Sequence, residues 1–234
     1  MAAKGNPRIG QCVYCGQIGP LTRDHVPPKN LFPEPRPDNL ITIPSCEGCN
    51  KDLDIDDEYF RIKITTRDDI AEHQEATPIW SRAISSLSKP SKIGFKKSFI
   101  SDISIVDRVT ASGLYLGKWP IMNVDLARIH RVTNRIIKGL FYKEKKFRLP
   151  DSHASMTIVN PSEINKENYE SSKKIYTALC TLSAKVFGNG VFSYRVQFLQ
   201  EDSNSSAWLL QFYDKFLVLG MTLKKEDVKC LIPG

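Results

Sequence analysis

Two Cys-x-x-Cys pairs, Cys12/Cys15 and Cys46/Cys49, bracket a segment that carries Asp24-His25-Val-Pro-Pro. Four thiolates at this spacing can close a tetrahedral zinc site, which ties two distant turns of the chain together before any core is built. Such a site leaves no open position on the ion, so any chemistry must come from residues that the clamp encloses. The chain has 6 cysteines, and a disulfide framework is the rival reading. In a cytosol, paired knuckles read as zinc, and the other two, Cys180 and Cys230, sit in apolar surroundings and read as core filler. Cys12 and Cys15 alone could be a redox pair, but that leaves Cys46 and Cys49 unexplained.

The first residues contain no apolar signal region, and the most apolar later stretch, Trp208 to Met221, is broken by Gln211, Asp214 and Lys215. The chain therefore reads as a soluble, cytoplasmic protein with no membrane partner. Its net charge of +7 is unevenly spread: residues 61 to 148 carry 18 basic against 8 acidic side chains, whereas residues 1 to 60 carry 6 against 9. A basic middle suggests a polyanion-binding surface, since phosphate neutralisation is the main sequence-independent source of nucleic-acid affinity. The plainer reading is a solvated surface that happens to be basic.

Ile18 to Arg23 and Leu40 to Ile43 read as strands joined by a proline-rich loop, and a helix is expected from the second knuckle onward, with Leu53, Ile55, Tyr59, Phe60 and Ile64 as its apolar points. Residues 65 to 120 suggest a linker with one or two short helices and a strand pair. From 124 to 142 apolar residues recur at helical spacing, and Arg128, Arg131, Arg135 and Lys138 form a stripe on the other side that could track a phosphate backbone. A helix is expected over Ser162 to Phe187, with Ile175, Leu179, Leu182 and Val186 on one face. Three strands should follow, at Val191 to Leu199, Ser206 to Tyr213 and Phe216 to Leu223, the last two joined by a tight turn at Asp214-Lys215. The fold class is α+β, with segments at 1–64, 65–148 and 149–234.

The run Cys12-x2-Cys15, Asp24-His25-Val26-Pro27, Asn39, Cys46-x2-Cys49-Asn50 resembles the zinc-bearing branch of the HNH endonucleases, over about residues 10 to 62. The resemblance implies a ββα-metal module in which His25 activates water, Asp24 and Asn50 hold a catalytic magnesium or manganese ion, and Asn39 braces the loop that aims the histidine. Asparagine stands where the commonest pattern has histidine, which favours a hard, oxygen-coordinated ion. DNA is the implied substrate, with RNA open, and a role in restriction or anti-phage defence is an analogy. Residues 149–234 would then sense, regulate or form a homodimer.

The chemistry of these residue types agrees. Histidine, with a free pKa of about 6.5, can take a proton near neutrality, and Asp and Asn oxygens suit an ion that keeps several waters. Neighbours on a regular strand point to opposite faces, so Asp24 and His25 can share a site only where the strand ends or distorts. Lys29, Lys51 and Arg23 lie near enough in sequence to hold phosphate oxygens. The alternative is a zinc-knuckle protein that binds nucleic acid, or regulates, without cutting it.

Overall fold

The computed structural model describes residues 8–87 and 93–231. Near the N-terminus β1 (Ile9–Gln11), β2 (Ile18–His25) and β3 (Thr42–Cys46) form an antiparallel sheet in the order β1-β2-β3. Asp24 lies opposite Ile43 and His25 opposite Thr42. The chain turns directly from β3 into α1 (Glu47–Lys51), with Cys46 as its N-cap, and then into α2 (Asp54–Thr65). Strand, strand, helix is thus the observed order, although the expected single helix is two. The break near Leu53 re-phases the second helix: Tyr59, Phe60 and Ile64 are buried, while Ile55 is 72% exposed, contrary to expectation.

Three further helices, α3 (Asp68–Ala71), α4 (Ala76–Leu87) and α5 (Ile93–Ser101), lead to a hairpin of β4 (Ile103–Val109) and β5 (Tyr115–Met122). The strand pair was expected; the helix count exceeds the one or two read from sequence. The next helix, α6 (Leu126–Lys145), is the long amphipathic one. Asp125 caps its start by accepting from the Arg128 backbone N–H at 3.3 Å, and Lys146 ends it with φ at 66°.

Beyond it lie β6 (His153–Ile158), α7 (Lys166–Cys180), β7 (Lys185–Phe187), β8 (Phe192–Phe198), β9 (Ser206–Phe212), β10 (Phe216–Lys224) and α8 (Lys225–Leu231). The five strands form an antiparallel sheet in the order β6-β10-β9-β8-β7. β8, β9 and β10 fall where expected, and the turn between the last two places Tyr213 and Asp214 at positive φ. The helix over 162–187 is corrected: α7 stops at Cys180, and Val186 is exposed on edge strand β7. Cys180 is also exposed, so it is not core filler, and the Cys230 side chain lies outside the described ones.

α6 is the joint of the molecule. A Cβ at Gly139 would come within 2.6 Å of Val26 and 3.1 Å of Ile43, whereas Ile137 packs on Gly220 of the five-stranded sheet. Two residues apart is about 200° around a helix, so these contacts lie on nearly opposite sides of α6. One apolar cluster therefore runs from Val13, Val26 and Phe60 through Ile136 and Leu140 to Trp208 and Phe212, drawing on all three sequence segments. Each such side chain, fully buried, is worth about 1.5–3 kcal/mol. Among the described residues no helix is long and apolar enough to cross a membrane.

Candidate functional site

The four knuckle sulfurs lie within 4.8 Å of one another, close enough to bind a metal ion such as zinc. A tetrahedron with Zn–S bonds of about 2.3 Å has an edge of about 3.8 Å, and Cys15 Sγ and Cys46 Sγ are 3.8 Å apart. The backbone shapes each half of the clamp. The Gly16 N–H donates to the Cys12 carbonyl at 2.9 Å with Gly16 at φ 77°, and the Cys49 N–H donates to Cys46 Sγ at 3.4 Å. The residues present thus fit a closed structural site.

Beside the clamp is a hollow of about 540 Å³ whose walls include Asp24, His25 and Asn50. β2 ends at His25, which lets adjacent residues reach one space as the strand geometry demands. Asn50, on α1 one residue past the knuckle, donates through its amide nitrogen to Thr22 Oγ1 at 2.7 Å, leaving its carbonyl oxygen as the group available to a cation. The clamp therefore sets α1 against the end of β2, and the hollow is the result.

Asp24 is 4% exposed. The Tyr14 O–H donates to its Oδ2 at 2.7 Å, and Arg135 Nη2 donates to its Oδ1 at 3.2 Å. Burial nevertheless raises its pKa against the pull of Arg135. His25 is shifted the other way: burial, and then the charge of Lys29, lower its pKa against the opposing charge of Asp24. A lowered histidine stays neutral near neutrality, the form that can accept a proton.

The far wall of the hollow is α2. Asp57, 7% exposed, accepts from Arg135 Nη2 at 3.1 Å, and burial pushes its pKa up to about 7. Asn30 Nδ2 donates to the Asp57 carbonyl at 3.2 Å. Six buried side-chain atoms among the described residues have no hydrogen-bond partner, and four of them, Asn30 Oδ1, Asp57 Oδ1, Arg61 Nε and Arg135 Nη1, belong to residues around this hollow.

Two expectations about site residues change. Asn39 lies exposed in the turn before β3 and is not on the hollow; Asn30, earlier in the same loop, is the asparagine that lines it. The cation stripe is not an open track for phosphate. Arg128 Nε and Arg131 Nε donate to the two oxygens of Asp56 at 2.6 and 2.7 Å, Arg135 is buried between Asp24 and Asp57, and of the four Lys138 alone has no such carboxylate among the described residues. The cations that do face the hollow include Arg23, Lys29 and Lys51. Tyr14, Asn30, Asp57 and Arg61 were not singled out beforehand. The spacing of Asp57 and Arg61, four apart on one helix face, was the available signal.

No protein-family model, no curated protein and no solved structure matches this chain.

Proposed function

We propose that the chain is a metal-dependent endonuclease of the HNH kind that hydrolyses phosphodiester bonds in DNA. The observation that supports this reading is the meeting of Asp24, His25 and Asn50 in one hollow, next to four thiols that fix β2 against α1. In this reading His25, kept neutral by burial, takes a proton from the water that attacks phosphorus. Asp24 and Asn50 would hold the divalent ion, which supplies positive charge to the phosphate and the leaving oxygen. Arg23, Lys29 and Lys51 at the rim meet the flanking phosphates. Arg135 and Tyr14 keep Asp24 in place from below.

One observation favours the rival reading of a zinc-knuckle nucleic-acid binder without hydrolysis: both Asp24 oxygens already accept a hydrogen bond. Each carboxylate oxygen has a further lone pair, so the engagement limits Asp24 without closing it to a cation. The two readings separate in one assay on supercoiled DNA, linear DNA and RNA with magnesium or manganese. The nuclease gives nicked or linear product, whereas the binder gives salt-sensitive retention and no cleavage with either ion.

A further inference from the structure

Among the described residues the β4–β5 hairpin carries the longest run of exposed apolar side chains. Of the 21 large apolar side chains exposed among the described residues, ten lie between Ile103 and Val124, a segment under a tenth of the chain. They sit on both faces of the ribbon. Register puts Ile103 and Ile105 on one side with Pro120, and Val106 on the other with Trp119 and Ile121. Ile105 is 70% exposed and Trp119 43%. The ribbon has only two strands, so both edges present unpaired backbone groups, which natural proteins ordinarily cover or charge.

The root of the hairpin is firmly held. Lys63 of α2, buried, donates to Asp102 Oδ2 at 2.6 Å and to the Asn123 carbonyl at 2.8 Å, and the Asn123 N–H donates to the Asp102 carbonyl at 2.7 Å. These bonds clasp the two ends of the ribbon to the body. A buried lysine is costly unless it is paired in this way, so the arm is a fixed projection.

From these observations we infer that the hairpin is a self-association surface whose occupant is the hairpin of a second copy of this chain. Three charged side chains, Asp107, Arg108 and Lys118, are spread over residues 103–122, and two of them face each other across the strands. Such a surface offers little to a polyanion and much to an apolar partner. The ten side chains expose on the order of 1,000 Å² over the two faces together, so one face offers on the order of 500 Å² of apolar surface, close to the apolar share of the about 800 Å² that each partner buries in a stable complex. An apolar ribbon face is complementary to itself under a two-fold axis, so an identical ribbon packed face to face covers one apolar face on each copy. This surface is separate from the hollow and does not depend on the reading given to it.

Sedimentation velocity on the full zinc-loaded chain, over a wide concentration series, tests the inference. A dimer is expected in the wild type. Ile105→Glu and Trp119→Glu alter opposite faces of the ribbon, and the one that lies in the symmetric interface enters it twice, so one of the two should weaken dimerisation by at least ~100-fold. Both side chains are exposed, so thermal melts and zinc content should match the wild type. A wild type that is monomeric throughout, whether or not it binds vesicles or another protein, overturns the inference. So does a dimer that persists unchanged in both variants.

Discussion

Residues 10–50 and the five-stranded sheet flank α6 and are held in order by different means. The sheet carries Trp208, Phe192, Phe212 and Tyr194 in fully buried ring contacts, for example Phe192 on Phe212 at 5.2 Å between centroids. The clamp region has a long proline-rich loop and an outer strand, β1, beside which Ile9 and Ile18 are exposed, and the hydrocarbon side chains it buries are aliphatic apart from Phe32, among them Val13, Val26, Leu31 and Ile43. It meets one side of α6, and the Tyr213 O–H also donates to the Leu31 carbonyl at 2.7 Å. The four sulfurs are close enough to bind a metal such as zinc, and ligation would add to this packing a fixed setting of β2 against α1.

Removing the zinc ligands should break the comparison most sharply. Cys46→Ser with Cys49→Ser forfeits on the order of 10 kcal/mol of apparent binding energy. Hydrogen exchange should then rise across residues 10–50 while β8, β9 and β10 stay protected. Equal loss in both regions would show that the clamp supports the whole chain. The converse change, Trp208→Ala, should cost about 3–5 kcal/mol in a thermal melt and leave the zinc content of the folded protein unchanged.

Gly139→Ala probes the joint. Helix propensity favours alanine by about 1 kcal/mol, but the new Cβ meets Val26 at 2.6 Å, and overpacking of this kind costs about 1–3 kcal/mol. A net fall in melting temperature is expected; a rise would show that β2 yields at this contact. A further effect concerns pH. Asp57, with its folded pKa near 7 and an unfolded value of about 3.9, favours the folded chain when protonated. Its contribution is full below the unfolded value and is lost as pH rises through 7, by about 1 kcal/mol per pH unit. Asp57→Asn should flatten that slope in melts taken from pH 4 to 8, and an unchanged slope would place the titration elsewhere.

The knuckles, α6 and strands β8 to β10 were legible because each carries a strong local signal: paired cysteines, helical spacing, and apolar runs between polar turns. β6 was missed because His153-Ala-Ser-Met-Thr-Ile has little apolar alternation, and its stability comes from pairing with β10. The end of α7 was missed because no glycine or proline stands between Cys180 and Lys185. The Asp24-His25 pair and Asn50 stand out in the sequence through the resemblance, and all three line one hollow. The fate of the arginine stripe could not, because periodicity shows that four cations share a face and not that Asp56 and Asp57 of α2 lie opposite. For the same reason Asn30 rather than Asn39 reaches the hollow: a proline-rich loop gives no register from which to choose.

The central claim is that the clamp is scaffold and that the chemistry belongs to the hollow beside it. Cleavage of supercoiled DNA by the wild type and by His25→Ala, with zinc content measured on the same samples, tests it most directly. Divalent-ion-dependent cleavage is expected from the wild type and none from the variant, with equal zinc in both. Wild-type cleavage by His25→Ala, or no cleavage by the wild type with either magnesium or manganese, would contradict it.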